Sequence, residues 1–460
     1  MADIDHYDIL ILGGGKAGKT LAMDRARAGQ RVALVEQGMI GGSCINVACI
    51  PSKALIRSAE IADLVTRSGP FGIDVQSSSV GMARVAERTA EVVRGMVATN
   101  RHAFDESGLE LVLGWGMFVE PRIVEVRSDS GTRRLSGDRI YLNLGTRAAI
   151  PDIAGLAAAK PMTHVEALLL SERPSRLVII GGGYIGMEMA QAFRRLGSEV
   201  ALLEVGRQIA AREDDDVSGA LMTLLTDQGV EIATGMTGLA VSGTSGDTVS
   251  VEAGDGRVFS GSHLLVATGR RPMTADIGLH IAGVALDASG FIIVDDRLAT
   301  TASAIWALGE AAGTPMFTHA SLDDYRVAKS QIVGKGRSTT DRLIPYCVFV
   351  DPEFARVGLI EADAERAAIP YRLAKIPMDA VPRARTMSAT TGFMKCLIAQ
   401  EDDRILGFAM LGERAGEVMT IVQTAMLANL PFTTLRDAII AHPTIAEGLN
   451  VLFAAIKPAD

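Results

Sequence analysis

At 460 residues the chain is too long for one hydrophobic core, which implies about two to four domains. With 48% hydrophobic and 22% charged residues it has the composition of an ordinary globular protein, and its net charge of −9 argues against nucleic acid or anionic lipid as a partner. The acidic start MADIDHYD is no signal peptide, and no apolar run approaches the roughly 20 residues that span a bilayer, so a cytoplasmic protein without membrane contact is expected.

The first apolar strand, Ile9 to Leu12, runs into GGGKAGKT, Gly13 to Thr20, which satisfies two patterns. Gly13, Gly15 and Gly18 form G-x-G-x-x-G, the turn that brings backbone against a dinucleotide pyrophosphate. Gly13, Gly18, Lys19 and Thr20 form G-x-x-x-x-G-K-[ST], the P-loop of ATPases and GTPases. An amphipathic helix and a second strand follow, ending at Glu36.

GGSCINVACIPSK, Gly41 to Lys53, comes next, with Cys44 and Cys49 separated by four residues. Pro51 and its successors predict a helix that has Cys49 near its N-terminus, where the positive helix end favours a thiolate. Disulfide exchange requires that thiolate. A structural zinc site needs about four ligands, usually in tight pairs. Cys347 and Cys396 instead sit singly in apolar, strand-like stretches and read as core residues. On spacing alone, a redox pair and an incidental pair both stand.

Residues 52–108 read as largely helical and 111–146 as a β-meander. From about Pro151 a second nucleotide unit begins. RLVIIGGGYIGMEMAQAFRRLGSEVALLEVG, Arg176 to Gly206, overlays DILILGGGKAGKTLAMDRARAGQRVALVEQG, Asp8 to Gly38, without a gap. Gly181 falls 181 − 13 = 168 positions after Gly13, and Glu204 falls 204 − 36 = 168 after Glu36. Each copy carries its acid 18 residues past its last glycine, 36 − 18 and 204 − 186, where a carboxylate can accept from ribose hydroxyls. Two βαβ units predict two dinucleotide sites. The rival P-loop NTPase has no use for Glu36, and Met187 and Glu188 replace Lys19 and Thr20 in the second copy. FIIVDD, Phe291 to Asp296, imitates a Walker B strand only loosely. Lys19 is then a coincidental match, expected to be solvated.

Residues 249–269 return as strands and end in LLVATGRRP, which matches NLGTRAAIP, Asn143 to Pro151, in shape; both read as exits from a nucleotide domain. From Asp341 onward the pattern becomes strands (YCVFV, ARVGL, MKCLIA, ILGFAML), then helices over 413–428 and 434–440.

These stretches resemble the flavin-dependent pyridine nucleotide–disulfide oxidoreductases, among them dihydrolipoamide dehydrogenase, glutathione reductase and mercuric reductase, over essentially the whole chain. GGSCINVACIPSK resembles the family's redox-disulfide segment, with Ala48 where glycine is usual. GGGYIGMEMA resembles its nicotinamide fingerprint. WALGEAAG, Trp306 to Gly313, resembles its second flavin motif, with Glu310 where the family has aspartate. AHPTIAEGLN, Ala441 to Asn450, resembles its C-terminal active-site segment.

The resemblance implies an α/β chain of two Rossmann-like FAD/NAD(P)-binding domains plus a C-terminal α+β dimerisation domain. Residues 1–148 and 269–342 would bind FAD, 149–268 the nicotinamide, and 343–460 would form the dimer. It implies that Cys49 is the flavin-proximal, charge-transfer thiol and Cys44 the interchange thiol. Lys53 and Glu188 would pair beside the flavin, and His442, held by Glu447, would serve the partner subunit's thiols as acid and base. Read alone, His442 is more readily an ordinary helix-start residue, although imidazole titrates near neutral pH and a carboxylate fixes its tautomer. His319 would lie near the flavin end.

By the same resemblance the cofactors are held by Gly13, Gly15, Gly18, Glu36, Gly42, Ser43, Lys53, Gly116, Gly145, Gly309, Glu310, Gly181, Gly183, Ile185, Gly186, Glu204 and Gly269, with no resident metal. Glu204 favours NADH, because a carboxylate repels a 2′-phosphate; Arg207 leaves NADPH open. FTHASLDDYR, IPYCVFVDPEFARVGL and VPRARTMSATTGFMK resemble the mercuric-reductase-like branch that includes metal reductases of the reactive-chlorine response. Against mercuric reductase itself, the end LFAAIKPAD has no vicinal cysteines and no metal-binding segment precedes the first strand. The expected reaction carries electrons from NAD(P)H through FAD and the Cys44–Cys49 disulfide to a small disulfide or metal ion. Dihydrolipoamide dehydrogenase or glutathione reductase chemistry remains the alternative. A flavoprotein with idle cysteines, acting as an oxidase or transhydrogenase, is a third.

Overall fold

Both glycine fingerprints fold as strand, turn and helix. The computed structural model describes residues 4–457. β1 (Ile4–Leu12) leads into α1 (Lys16–Arg27) and returns as β2 (Val32–Glu36). β2 is buried along its whole length, as its continuous apolar run VALV requires of a strand covered on both faces. α2 (Ser43–Asn46), α3 (Cys49–Thr66) and α4 (Met82–Ser107) follow, then β3 (Glu110–Leu113) beside β2.

The meander is β4 (Trp115–Glu120), β5 (Ile123–Ser128) and β6 (Gly131–Leu142), and it is not a separate layer. β6 runs parallel to β1, with Ile9 opposite Arg139 and Leu12 opposite Leu142. One sheet of order β3-β2-β1-β6-β5-β4 results, and a later strand, Ile305–Ala307, adds to β6.

β7 (Thr146–Ala148) leaves this sheet, and α5 (His164–Ala167) precedes the second unit. There β8 (Arg176–Ile180), α6 (Tyr184–Arg195), β9 (Glu199–Leu203), α7 (Asp215–Asp227) and β10 (Val230–Ala233) are joined by β14 (His263–Val266) in a parallel sheet of order β10-β9-β8-β14. β11 (Ala240–Gly243), β12 (Val249–Glu252) and β13 (Val258–Gly261) form an antiparallel sheet beside it. The two domain exits pair with each other: β15 (Arg270–Pro272) lies antiparallel to β7, with Arg270 opposite Ala148.

β16 (Ile305–Ala307) and α8 (Thr318–Ile332) complete the first unit. The C-terminal region is a five-stranded antiparallel sheet bounded by Tyr346–Val348 and Tyr371–Pro377, with a helix at Ala415–Leu427. The helix expected over 434–440 covers only Phe432–Arg436. Asn450 explains the early stop, because its Nδ2 donates to the carbonyls of Leu435, Arg436 and Ala438 at 2.8, 3.0 and 3.0 Å. Those acceptors are lost to a continuing helix.

The units meet around α3. Leu55, Ile56 and Ala59 of α3 share one core with Met187, Met189 and Phe193 of α6 and with Val348, Phe354 and Leu411 of the C-terminal sheet. Arg195, 4% exposed at its side chain, ties Asp63 of α3 (3.3 Å) to Asp351 (2.6 Å). The cysteine-bearing helix is therefore clamped by all three regions.

Candidate active site

The first fingerprint can be built only from glycine. Gly13 has φ +100°, and a β-carbon there would lie 2.3 Å from the Asn143 carbonyl oxygen; Gly181 has φ +113° and meets the Ala267 carbonyl oxygen at 2.5 Å. Gly15 and Gly183 occupy the N-cap positions of α1 and α6, and neither helix start is capped by a side chain. Their N–H groups and the positive helix end thus face an open approach. A β-carbon at Gly183 would touch nothing within 4 Å. Gly186 packs against the first turn of its own unit, as Gly18 does, and Ile185 packs on the shared core.

Each acid closes its own turn. Glu36 Oε2 accepts from the Gly14 N–H at 2.8 Å and Oε1 from Gly38 and Met39 at 3.0 Å. Glu204 accepts from Gly182 and Gly206, both at 2.6 Å. Each carboxylate retains lone pairs for ribose hydroxyls. A groove lined by Gly13, Gly15, Glu36, Gly42, Ser43, Gly116 and Gly145 runs beside the first turn. Open N-termini, a held carboxylate and a glycine-lined groove fit a dinucleotide.

Asn143 holds this groove together and sequence reasoning missed it. Its Oδ1 accepts from the Gly18 N–H (2.9 Å) and its Nδ2 donates to the Leu308 carbonyl (2.9 Å), joining the fingerprint to the Gly309 turn. Asp324 was missed too: fully buried, it accepts from the Gly309 N–H (2.6 Å), Thr314 (2.7 Å) and Arg342 (2.6 Å). Asn143 leaves only the signal of a polar residue inside an apolar stretch, and Asp324, in the polar run SLDDYR, leaves none. Glu310 turns its carboxylate to Thr146 and Arg270, on the paired exit strands. Gly269, at the start of the second exit, has φ +131° and open space around it.

Cys49 is the first residue of α3, as its position before Pro51 predicts. Ala48, its N-cap, has φ −131° and ψ −106°. Cys44 sits in α2, half-buried, and both cysteines are free. The Cys44 thiol donates to Cys49, which pulls Cys49 down to about 6; the charge of Lys53 and a Thr318 hydrogen bond add to this, while burial and Glu188 oppose it. The neighbouring Cys49, with burial, pushes Cys44 well above the ordinary thiol range. Thr318 Oγ1 lies 3.6 Å from Cys49 Sγ at the start of α8. It too was missed, although it directly precedes His319.

Lys53 Nζ donates to Glu188 Oε2 at 2.7 Å, bridging α3 and α6. Glu188 Oε1 accepts from the Phe349 N–H at 3.0 Å, and Lys53 Nζ lies 4.6 Å from the centre of the Phe349 ring. Cys44, Cys49, Lys53 and Glu188 thus come together. His442 and Glu447 pair apart from them, with His442 Nδ1 at 3.0 Å from Glu447 Oε2 and the imidazole 71% exposed. Within one chain they make no hydrogen bond to either thiol. His319 Nε2 lies 2.6 Å from the Pro345 carbonyl oxygen, its ring stacks on Phe317, and burial lowers its proton affinity. Cys396 is buried in the C-terminal sheet and Cys347 half-buried beside it.

Lys19 corrects an expectation. It is not solvated but 6% exposed, and Nζ donates to Asn100 Oδ1 at 2.6 Å, away from the groove. A P-loop lysine must reach phosphate, so its direction counts against an NTPase. Residues 291–296 form isolated bridges rather than a Walker B strand. Among the described residues Asp214, Asp216 and Glu361 cluster closely enough to hold a cation, but Lys395 Nζ sits on all three at 2.8–2.9 Å. Among the described residues no helix is long and apolar enough to cross a membrane.

Comparison with known proteins agrees with this geometry. The family described as pyridine nucleotide-disulphide oxidoreductase matches residues 7–324, and that family's dimerisation domain matches residues 344–452. A probable pyridine nucleotide-disulfide oxidoreductase, RclA of Escherichia coli, is 36% identical over 99% of this chain and 100% of its own length. A mercuric reductase of Bacillus cereus is 33% identical over 97% of this chain and 70% of its own. A solved structure, the Cu(II) complex of the HOCl-induced flavoprotein disulfide reductase RclA from Escherichia coli, superposes with a TM-score of 0.91 at 36% identity over 99% of this chain and 100% of that one.

Proposed function

The chain belongs to the pyridine nucleotide-disulphide oxidoreductase family, and we propose that its Cys44–Cys49 pair hands electrons from NAD(P)H to a small disulfide or a metal ion. It is an FAD- and NAD(P)H-dependent oxidoreductase with a dimerisation domain, a homodimer. The observation that carries the proposal is Cys49 at the first position of α3, with Thr318 Oγ1 3.6 Å from its sulfur and the Lys53–Glu188 ion pair one turn along the same helix.

Residues 1–148 and 269–342 form the flavin unit, 149–268 the nicotinamide unit and 343–460 the dimer unit. Gly13, Gly15, Gly18 and Glu36 hold the pyrophosphate and ribose of FAD, and Gly181, Gly183, Gly186 and Glu204 those of the nicotinamide. Bound flavin supplies hydride acceptance and two-electron delivery to a disulfide. Lys53, fixed by Glu188, keeps a positive charge beside Cys49.

Cys44, as thiolate, attacks one sulfur of a disulfide substrate; the first thiolate leaves and a mixed disulfide forms. Cys49 thiolate then attacks the Cys44 sulfur, the second thiolate leaves, and the Cys44–Cys49 bond re-forms. The partner subunit's His442, oriented by the partner subunit's Glu447, takes the Cys44 proton and returns it to the first leaving thiolate, and the second leaving thiolate takes its proton from solvent. With a metal substrate, one Hg(II) takes both electrons, or two Cu(II) take one each, as the same bond re-forms. The Cu(II) named with the RclA structure makes that ion the first to try.

NADH is the preferred donor. Glu204 repels a 2′-phosphate, and the exposed Arg207 is drawn to Asp215 at 2.6 Å instead. Thiol chemistry driven by NADH suits a cytoplasmic enzyme.

Steady-state NADH oxidation by the holoenzyme with glutathione disulfide, lipoamide, Hg(II) and Cu(II) tests the proposal. At least one is turned over by the wild type, and that turnover disappears in Cys44→Ser and Cys49→Ser. Oxidation that survives both substitutions would instead mark a flavin oxidase with idle cysteines.

A further inference from the structure

Glu310 stands in the second flavin-like motif, one methylene longer than the family's aspartate, and the mechanism leaves its carboxylate without a task. It follows Gly309 and opens the short turn Glu310–Ala312. Its Oε2 lies 3.1 Å from Arg270 Nη2 and also accepts from the Thr146 hydroxyl. Arg270 in turn donates from Nε to Thr146 Oγ1 at 2.7 Å and from Nη2 to the Thr146 carbonyl at 3.1 Å. The three side chains close a ring of charge-assisted hydrogen bonds, with the Arg270 side chain only 12% exposed.

The ring sits on the two strands by which the chain passes between the nucleotide units. Thr146 is the first residue of β7, which leaves the first unit, and Arg270 is the first of β15, which returns from the second. Thr146 pairs opposite Pro272 and Arg270 opposite Ala148. Arg270 therefore lies at the end of the ribbon nearer the second unit, and its guanidinium reaches back to the end nearer the first. Two glycines flank the ribbon, Gly145 with φ +71° and Gly269 with φ +131°, and each has open space where a β-carbon would stand. Residues of that freedom at the ends of a connection are where hinge bending concentrates. The backbone ladder beyond the strands adds Met273 N–H to the Gly145 carbonyl at 3.0 Å and Ala149 N–H to the Gly269 carbonyl at 2.9 Å. A two-stranded ribbon this short is weak by itself. Gly145 and Thr146 also line the glycine groove, so one end of the ribbon is part of the groove wall.

We propose that Glu310, through Arg270 and Thr146, is a brace that fixes the angle between the flavin and nicotinamide units, and so a positioning residue for hydride transfer between them. The inference rests on that assignment of the two units. NADH passes a hydride, two electrons with one proton, to the flavin and leaves as NAD+. Donor and acceptor sit on different glycine turns and must meet within about 3–3.5 Å, so a small tilt of one unit slows the step. The Lys53–Glu188 pair joins the units through α3 and α6, and the brace joins them through the ribbon. Without the brace both cofactor seats keep their own residues, but the angle between them loosens.

The test compares the holoenzymes of wild type, Arg270→Met, Glu310→Gln and the double variant, with flavin content and melting temperature recorded for each. Hydrogen exchange read by mass spectrometry follows the peptides covering β7 and β15. Stopped flow follows flavin bleaching by saturating NADH and, separately, by dithionite, which needs no nicotinamide site. Each variant keeps its flavin, and its ribbon amides exchange about tenfold faster. Reduction by NADH slows about tenfold while reduction by dithionite keeps the wild-type rate. The double variant is no slower than the single ones, because all three remove the same ring. If Glu310→Gln does not fold, Arg270→Met carries the test, and Arg270→Lys, which keeps the charge, slows less. Loss of flavin from Glu310→Gln but not from Arg270→Met overturns the inference, because the carboxylate then serves the cofactor itself. Unchanged reduction by NADH in the loaded variants overturns it, as does equal slowing with dithionite, which would mark general damage to the flavin seat. A wild-type flavin that NADH does not reduce would overturn the assignment of the units, and needs no variant to detect.

Discussion

Lys53 on the redox helix and Glu188 on the first helix of the second nucleotide unit meet at 2.7 Å, with the Glu188 side chain only 7% exposed. Removing the lysine strands a buried carboxylate whose other oxygen is already committed to the Phe349 N–H. Lys53→Met is expected to lower stability by about 3 kcal/mol, and Lys53→Met with Glu188→Gln by clearly less than the two single changes together. Thermal melts of the three variants read this as a double-mutant cycle. Additive losses would mean that the pair is an incidental contact.

Gly15 faces Asn143 so closely that a β-carbon would lie 2.6 Å from its Oδ1. Gly15→Val therefore displaces the side chain that also receives the Gly18 N–H, and it fills the groove. Purified Gly15→Val is expected to be colourless. Gly95→Ala, on α4 with nothing within 4 Å of the added carbon, should retain its flavin and gain about 0.5–1 kcal/mol of stability. The ratio of visible to protein absorbance checks both.

Cys49 is held at about 6 chiefly because Cys44 donates to it. A depressed value means that the thiolate persists as pH falls and is lost only on passing through about 6. The long-wavelength absorption of that thiolate against bound flavin should titrate there in the reduced enzyme. Cys44→Ala removes the donor, so its midpoint should move up by about one unit or more. A midpoint that stays put would show that Cys44 does not share its proton with Cys49.

His442 carries its carboxylate on Nδ1 and leaves Nε2 free on an exposed ring. If that ring serves the partner subunit, Cys44→Ser and His442→Ala chains, each inactive alone, should complement when mixed and redimerised. Half the dimers then carry one intact site, giving about a quarter of wild-type turnover. Turnover that stays at the level of the separate variants would mean that both residues act within one chain.

Much of this site was legible in the sequence because the units that build it are local. A strand, a glycine turn and a helix leave a pattern that survives duplication, so Gly13, Glu36, Gly181 and Glu204 could be found by overlay. Cys49 at a helix start followed from Pro51. The residues that stayed hidden act across long separations. Asn143 reaches both Gly18 and Leu308, Thr318 meets Cys49 from a distant helix, and Asn450 ends a helix that its local pattern would have extended. Lys19 misled for the same reason: the eight residues around it look like a P-loop, and only the packing of α4 turns its amine inward. The meander likewise joined the parallel sheet through pairing of β6 with β1, which alternation along one strand cannot reveal.

The central claim is that electrons from the nicotinamide reach the Cys44–Cys49 pair. Anaerobic titration of the oxidised holoenzyme with NADH, followed by visible absorbance, tests it most directly. The wild type should consume about two NADH per subunit, one for the flavin and one for the disulfide, and Cys49→Ser about one. An identical requirement of about one NADH in both proteins would contradict the account, because the cysteines would then hold no electrons.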